Sequence, residues 1–233
     1  MPTLYLIPTL LAEGTDARVL PDSVREIVEK TDAYFVENVR SARRFISGLK
    51  TSRVIDETQF FELDKDTPPA DTRRQMQELT ERKRHAGVLS EAGCPGVADP
   101  GAVVVSVAHA LGWRVEPLVG PSSILLALMA SGMSGQSFVF HGYLPIERQD
   151  RSRALRHLEK EAQQRQQTQI FMETPYRNDA LFADIVAHCQ ANTRLCVACN
   201  LTASDAFVRT LTIREWKTQV PDLRKKPTVF LLL

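Results

Sequence analysis

Short apolar runs rich in β-branched and aromatic residues alternate along the chain with longer stretches of amphipathic, helical spacing. Runs of that length and composition predict β-strands, and the intervening stretches predict helices. Because the two alternate, the pattern indicates an α/β fold with largely parallel pairing in the first half. The predicted strands are residues 4–8, 33–37, 87–90, 114–118, 138–142, 169–173, 195–201, 207–213 and 228–233.

Proline and serine mark where several helices should begin. Pro21 precedes an apolar helical spacing and predicts one helix start. Asp99 and Pro100 predict an N-cap followed by proline at the first helical position. Ser122 is predicted to cap a further helix over residues 124–130.

Two segments have the composition of boundaries. The proline- and glycine-rich segment 116–122 predicts a division into an N-terminal α/β lobe, residues 1–117, and a C-terminal α/β lobe, residues 118–233. The polar segment 144–167 is a second predicted boundary.

The overall charge is close to neutral. The chain has 29 basic and 28 acidic side chains, a net charge of +1. This balance excludes a strongly basic nucleic-acid coat, so any contact with nucleic acid must come from local patches. The longest apolar run, residues 124–130, has seven residues, whereas a membrane span needs about twenty. No basic residue precedes the apolar stretch near the start, so we expect no signal peptide and a cytoplasmic protein.

Four cysteines include one Cys-x-x-Cys pair, Cys196 and Cys199, with His188 and Cys189 nearby. If residues 195–201 form a strand, side chains three apart point to opposite faces and cannot bind one ion. The sequence has no second Cys-x-x-Cys to complete a zinc site. We therefore predict a buried structural strand and no metal.

The densest chemical signal is the segment from Ser90 to Gly101, which follows an apolar strand and precedes a helix. Its three glycines and two prolines predict a tight loop whose backbone a ligand approaches closely. In α/β sheets, ligands bind beyond the carboxyl ends of the strands. The loop contains Glu91 and Asp99 but no Lys or Arg, which favours a cationic or neutral ligand over a phosphate. A structural turn with a helix cap is the alternative interpretation.

A second helix start lies at Gly120-Pro-Ser-Ser. Its free N–H groups, with the hydroxyls of Ser122 and Ser123, are suited to a carboxylate or a ribose. Taken alone, the pattern favours simple helix capping.

The order of several motifs resembles that of a known family. The motifs are SEAGCPGVADPG at residues 90–101, VGPSSILLALMASG at 119–132, FVFHGYLP at 138–145, FMETPYR at 171–177 and NLT at 200–202. Together they resemble the tetrapyrrole (corrin/porphyrin) methylase superfamily, and most of all its branch of bacterial small-subunit rRNA cytidine ribose 2′-O-methyltransferases. The resemblance implies two α/β lobes with S-adenosylmethionine in the cleft between them, and a homodimer.

The resemblance also implies which residues bind that cofactor. The loop after the third or fourth strand lines the methionine side, and the ends of other strands close the pocket. The implied cofactor-binding residues are Thr9, Leu10, Gly93, Cys94, Val97, Ser122, Ser123, Met172 and Thr228. The positive sulfonium of the cofactor is consistent with a loop that contains only acidic charges.

Three segments differ from the usual motifs of that branch. Residues 9–13 read Thr-Leu-Leu-Ala-Glu instead of Thr-Pro-x-Gly-Asn, and residues 37–40 read Glu-Asn-Val-Arg instead of Glu-Asp-Thr-Arg. Residues 90–91 read Ser-Glu instead of Ser-Asp, a conservative change. Because the first two segments lie where the branch meets its acceptor, the resemblance supports the cofactor more directly than the substrate.

A ribose hydroxyl is a poor nucleophile and benefits from a base that takes its proton. Glu37 is the first candidate because it ends a strand on the ligand side, and Glu173 and Asp99 follow. Arg40 and Arg177 are candidates to orient a phosphate or a carboxylate. For each of these residues, a salt bridge or a helix cap is the alternative.

The arginine-rich stretch 148–156, together with Arg43, Arg44 and Lys50, is a candidate surface for an RNA backbone, with a solvated helix face as the alternative. Three functions stay open: an RNA ribose methyltransferase, a methyltransferase for a small molecule or another macromolecule, and a cofactor-binding protein without turnover. A Rossmann-type oxidoreductase is disfavoured because no glycine fingerprint follows the first strand.

Overall fold

The computed structural model describes residues 1–64 and 66–233 and divides the chain into two compact units, Met1–Ser122 and Ser123–Leu233. The division lies at the end of the proline- and glycine-rich segment 116–122. Among the helices of the described residues, none is long and apolar enough to cross a membrane.

The first unit is built on a five-stranded sheet with the order β3-β2-β4-β1-β5. All four strand pairs are parallel, as the alternation of strands and helices predicts. The strands are β1 (Thr3–Ile7), β2 (Ala33–Val36), β3 (Gln59–Glu62), β4 (Ala86–Leu89) and β5 (Arg114–Pro117), and the helices are α1 (Asp16–Val19), α2 (Asp22–Lys30), α3 (Val39–Gly48), α4 (Pro69–Glu81) and α5 (Gly101–Ala110).

Apolar clusters cover both faces of this sheet. Phe35 of β2 packs in one cluster with Phe61 and with Met76 of α4. Its neighbour Tyr34 packs in the other cluster with Ile46 of α3, because successive side chains of a strand point to opposite faces. Burial on both sides is typical of parallel sheets, and it leaves the strand ends as the places where loops can meet a ligand.

Two details of the first unit differ from the sequence prediction. Strand β3 was not predicted, because its sequence QFFE places only two apolar residues between polar ones and it pairs only at the sheet edge. The predicted N-cap Asp99 is wrong: Pro100 holds the N-cap position and α5 begins at Gly101. Asp99 Oδ1 instead accepts hydrogen bonds from the N–H groups of Gly96, at 2.8 Å, and Gly101, at 2.7 Å, which closes the loop.

The second unit has a mixed five-stranded sheet with the order β6-β7-β10-β8-β9. β6 and β7 are parallel, and the other three pairs are antiparallel. The strands are β6 (Phe138–Tyr143), β7 (Thr168–Met172), β8 (Arg194–Cys199), β9 (Phe207–Thr212) and β10 (Thr228–Leu232), and the helices are α6 (Ser123–Ser131), α7 (Arg148–Arg165), α8 (Asn178–His188) and α9 (Ile213–Trp216).

The Cys-x-x-Cys segment forms the buried strand β8, which confirms the structural interpretation of that segment. Cys196 and Cys199 are fully buried and belong to different apolar clusters on the two faces of the sheet. The polar segment 144–167 is not a boundary, because most of it forms the 18-residue helix α7. Leu155 and Ala162 of α7 are fully buried, so the helix is part of the core.

Candidate functional site

The carboxyl edge of the first-unit sheet gathers most of the residues that the sequence singles out. Because the strands are parallel, the loops that follow β1, β2, β4 and β5 all leave the sheet at this edge. The predicted residues on these loops or directly beyond them are Thr9, Leu10, Glu37, Arg40, Gly93, Cys94, Val97, Asp99 and Ser122. The fold of this unit therefore provides one edge at which the predicted groups lie together.

Hydrogen bonds join the loop after β1 to the loop after β4. The Thr9 N–H donates to the carbonyl of Gly93 at 2.9 Å, and Thr9 Oγ1 donates to the carbonyl of Ser90 at 3.2 Å. Gly93 has a φ of +78°, and a Cβ there would lie 3.2 Å from Leu11 Cδ2 and 3.4 Å from the carbonyl of Pro121. Position 93 thus favours glycine both for its backbone angle and for its close neighbours.

The loop after β4 also contacts the loop after β5. Cys94 Sγ donates to the carbonyl of Pro121 at 3.4 Å. Burial raises the pKa of the Cys94 thiol, so this side chain is a neutral hydrogen-bond donor and not a reactive thiolate. Val97, by contrast, has half of its surface exposed.

Glu37, Glu91 and Asp99 place three carboxylates close together at this edge. Glu37 Oε1 accepts a hydrogen bond from the Glu91 N–H at 3.2 Å. Burial raises the pKa of Glu37, and the nearby charges of Asp99 and Glu91 raise it further, while the hydrogen bond from Glu91 lowers it. Burial also raises the pKa of Asp99, against the effect of its two backbone hydrogen bonds. The edge is therefore suited to a group that carries positive charge or donates hydrogen bonds.

Asp99 also presents an unused acceptor. Its Oδ2 atom is buried and has no hydrogen-bond partner among the residues that the structure describes. Buried carboxylate oxygens are normally hydrogen-bonded, so this atom marks a position where a bound group or water can donate.

The start of α3 carries a second predicted catalytic residue, Arg40, which is exposed. Asn38, at the position of the second acid of the family signature, is the N-cap of α3, and its Oδ1 accepts from the Ser41 N–H at 3.0 Å. Asparagine and aspartate cap helices about equally well, so this departure from the family pattern preserves the local structure.

A cavity of about 550 Å³ lies between the loop after β1, helix α3 and the loop after β4. Its lining includes Leu10, Leu11, Ser41, Phe45, Leu49 and Glu91. At its rim, Arg44 Nη1 lies 3.6 Å from Glu13 Oε1, and both side chains are largely exposed. A volume of this size lies within the roughly 300–1,000 Å³ typical of small-molecule sites.

The cavity wall formed by α3 was missed by the sequence analysis. The signal was present, because Ala42, Phe45, Ile46 and Leu49 have the i, i+3, i+4, i+7 spacing of an amphipathic helix after the capping residue Asn38.

The second unit holds the remaining candidates, and Met172, Glu173 and Thr228 lie at one end of its sheet. Met172 ends β7 and pairs with Val229, next to the buried Thr228 at the start of β10. Thr228 Oγ1 donates to the carbonyl of Lys226 at 3.0 Å. Ser123 begins α6.

Glu173 is buried and held in place by its neighbours. Its Oε1 accepts from Arg177 Nη2 at 2.6 Å and from the Thr174 N–H at 2.7 Å, while its Oε2 is buried without a partner among the described residues. The hydrogen bond to Glu173 is the main reason that the pKa of Arg177 is raised. This pairing limits the freedom of both side chains to act on a substrate.

The arginines of the stretch on α7 differ in their exposure to solvent. Arg151 is buried against Asp184, and its Nη1 donates to the carbonyl of Ile146 at 2.7 Å. Arg153 is exposed and pairs with Asp150. Arg151 is therefore unavailable to an RNA backbone, contrary to the sequence prediction.

An open parallel sheet with its ligand loops at the carboxyl edge places the first unit among the ligand-binding α/β proteins. A family comparison narrows that class. Residues 15–217 match the family described as Tetrapyrrole (Corrin/Porphyrin) Methylases, so the chain belongs to this family. The resemblance seen in the sequence motifs is thereby confirmed.

The chain is similar to proteins named ribosomal RNA small subunit methyltransferase I. It is 26% identical to the Vibrio cholerae protein over 234 residues, covering 100% of this chain and 77% of that protein. It is 29% identical to the Bacillus subtilis protein over 179 residues, covering 76% and 56%, and 26% identical to a Buchnera aphidicola protein over 201 residues, covering 85% and 66%. The matches thus span from about half to about three quarters of these relatives' length.

Solved structures show the same fold at low sequence identity. The methyltransferase CobJ superposes with a TM-score of 0.63 at 15% identity, covering 99% of this chain and 92% of that one. Diphthine synthase gives a TM-score of 0.65 at 12% identity, covering 100% and 90%. A Thermus thermophilus uroporphyrin-III C-methyl transferase, complexed with S-adenyl homocysteine, gives 0.53 at 14% identity, covering 99% and 96%. The two-unit α/β fold class expected from the sequence is confirmed.

Proposed function

We propose that this protein is an S-adenosylmethionine-dependent methyltransferase whose acceptor is a ribose 2′-hydroxyl of ribosomal RNA. The observation that carries the proposal is the acidic, glycine-bent loop after β4, hydrogen-bonded to the loop after β1 beside a cavity of nucleoside size. Membership of a methylase family and relatives named as rRNA methyltransferases support it.

The residues of the first unit fit a cofactor that carries a sulfonium. The loop after β4 provides carboxylates and no basic side chain, and Asp99 Oδ2 is a buried acceptor without a partner among the described residues. The turn at Gly93 lets the backbone approach a ligand without a side chain in the way. In this unit we propose Thr9, Leu10, Gly93, Cys94, Val97 and Ser122 as cofactor-binding residues; in the second unit Ser123, Met172 and Thr228 stay predictions of the family resemblance.

When bound, this cofactor would supply an electrophilic methyl group, whose bond to the sulfonium sulfur would break as the acceptor oxygen attacks and would leave a neutral thioether on the cofactor. Glu37 takes the proton that the acceptor hydroxyl loses as its oxygen forms the new bond to carbon. Burial raises the pKa of Glu37, which makes its carboxylate a stronger base than an exposed glutamate. Arg40 is exposed at the start of α3 and is proposed to orient a phosphate of the acceptor.

Glu173 is the second candidate base of the sequence analysis. Since it is bonded to Arg177 and to the Thr174 N–H, we propose that it holds the turn between β7 and α8 instead of moving a proton. Glu37 is then the base for the reaction.

The cavity beside α3 is the proposed place of the acceptor nucleoside. Two of its lining residues, Ser41 and Glu91, are joined by a hydrogen bond, and the Glu91 N–H donates a hydrogen bond to Glu37. Arg44 at the rim adds a cation for the RNA backbone. The neighbouring acids Glu13 and Asp16 favour the second candidate function, methylation of a different acceptor, because they repel phosphate.

We also propose that the protein is a homodimer. β6 lies at the edge of the second-unit sheet, and its Phe138 and Tyr143 are exposed. Leu125 and Met129 of α6 are likewise more than half exposed. Apolar edge strands and patches are typical pairing surfaces. Sedimentation of the Met129→Glu variant as monomer, against a dimeric parent, is the expected result, and a monomeric parent contradicts the proposal.

An RNA acceptor places the reaction in the compartment that holds ribosomal RNA. We therefore propose a cytoplasmic location for the protein.

The proposed function is tested with methyl-labelled cofactor and small ribosomal subunits that lack the modification, followed by nucleoside analysis. Label in a 2′-O-methyl nucleoside is expected, and the Glu37→Gln variant should bind the cofactor but lose at least about a hundredfold in rate. Label in protein or low-mass material with none in RNA supports the second candidate function. Cofactor binding without transfer to any of these overturns the methyltransferase proposal.

A further inference from the structure

A short hydrogen-bond chain links Glu37 to two residues outside the predicted site. The Glu91 N–H donates to Glu37 Oε1 at 3.2 Å, and Glu91 Oε1 accepts from Ser41 Oγ at 3.1 Å. Glu91 thus bonds to Glu37 through its backbone N–H and to Ser41 through its side chain. The chain joins the loop after β4 to the end of β2 and the start of α3.

Ser41 is itself fixed by the helix cap. Its N–H donates to Asn38 Oδ1 at 3.0 Å, which holds residue 41 in the first turn of α3. Since Asn38 follows Glu37 directly, the cap fixes the distance between Ser41 and the backbone of Glu37. The cap and the two hydrogen bonds therefore connect Ser41, Glu91 and Glu37 into one network.

Among the described residues, two carboxylates of one loop act on Glu37 through their charge. They are the carboxylates of Glu91 and Asp99, both on the loop after β4. Arg40 lies nearby on α3 but is exposed and has no ion pair among the described residues. Like charges disfavour ionisation of a carboxyl group, so Glu91 acts on Glu37 through its charge as well as through its N–H.

We propose that Ser41 and Glu91 are positioning residues for Glu37: Ser41 fixes the Glu91 carboxylate, and Glu91 fixes and tunes the Glu37 carboxylate that accepts the acceptor's proton. This inference rests on the proposed function of Glu37. Glutamate at position 91, where the family branch has aspartate, gives the side chain the extra length with which it reaches Ser41.

The test is the pH dependence of kcat for methyl transfer to unmodified small ribosomal subunits. Glu91→Gln keeps both hydrogen bonds, because an amide oxygen also accepts from Ser41, but it removes the negative charge. The acid limb of the profile should move to lower pH by about half a unit or more, with KM for the cofactor unchanged. An unmoved acid limb overturns the proposal.

The Ser41→Ala variant provides an independent test of the positioning proposal. It releases the Glu91 carboxylate, and kcat should fall by about tenfold at the pH optimum while KM for the cofactor stays the same. Ser47→Ala, on the exposed side of the same helix and without a side-chain hydrogen bond among the described residues, is the matched control and should be unchanged. Equal rates for Ser41→Ala and its control overturn the role of Ser41.

Glu37→Gln separates this proposal from the proposed function. If Glu37→Gln keeps full activity, the assignment of the base fails and with it the basis of the positioning proposal. If Glu37→Gln is inactive while both Glu91→Gln and Ser41→Ala behave as the parent, only the positioning proposal fails.

Discussion

Arg151 and Asp184 form a buried ion pair in the second unit, with Arg151 Nη2 2.5 Å from Asp184 Oδ2 and both side chains less than a tenth exposed. A second bond, from Arg151 Nε to the same oxygen, measures 2.8 Å. The pair connects α7 to α8. An arginine that the sequence groups with candidate RNA contacts is therefore a structural element of the fold.

Removal of this arginine should destabilise the second unit strongly. Arg151→Ala leaves Asp184 buried with only the looser contact to the exposed Arg148, at 3.4 Å, and should cost about 3–5 kcal/mol in the free energy of unfolding. Urea titration followed by circular dichroism measures the loss. Arg153→Ala on the same helix removes only a surface pair and should change stability by less than about 1 kcal/mol. Equal losses for the two variants contradict this interpretation.

Gly120 should tolerate no side chain. A Cβ there would lie 2.2 Å from Pro8 Cγ and 2.3 Å from Pro8 Cβ, and a proline ring cannot rotate away. We expect Gly120→Ala to cost about 1–3 kcal/mol, because the backbone must shift. Gly48→Ala, in the last turn of α3 with open space around it, should be neutral or stabilising by about 1 kcal/mol. Thermal unfolding of both variants checks the contrast, and a stable Gly120→Ala protein would show that this contact is not tight.

Asp99 should make stability fall with rising pH in its titration range. Burial raises its pKa in the folded state above the ordinary value of 3.8, so the folded chain binds more protons than the unfolded chain from about that pH upward to the raised pKa. Stability contributed by this group is therefore lost as pH rises through that window. Asp99→Asn keeps an acceptor for the Gly96 and Gly101 N–H groups and removes the effect. The difference in free energy of unfolding, variant minus parent, should grow in the variant's favour as pH rises from the ordinary pKa of 3.8 to the raised pKa of the folded state. A difference independent of pH contradicts the prediction.

The affinity for RNA should fall with rising salt concentration, and Arg40 on α3 should contribute to that dependence. If Arg40 contacts a phosphate, Arg40→Ala should lower the slope of log K against log salt by about one. Arg74 on α4 is the matched control, since it is exposed and its helix packs in the cluster on the opposite face of the sheet from α3. Filter binding of rRNA fragments at several salt concentrations measures both slopes. The same slope for Arg40→Ala and the parent places the RNA elsewhere.

Local chemistry made much of this protein predictable. Apolar runs located nine of the ten strands of the described residues, because the length and composition of a short run are properties of neighbouring residues. The loop from Ser90 to Gly101 was predictable for the same reason. Its glycines and prolines and its lack of basic residues are features of one continuous segment. The edge strand β3 escaped because its burial comes from pairing with β2 and not from its own composition.

Contacts between distant residues were decided by the tertiary structure. Ser41 and Glu91 are 50 positions apart, and Glu37 and Glu91 are 54 apart, so no local pattern joins them. The sequence by itself determined most of the strands, the acidic loop and the family motifs. Only the packing of parallel strands decided which carboxylates lie side by side, because the partners of a charged side chain depend on which strand ends meet in space.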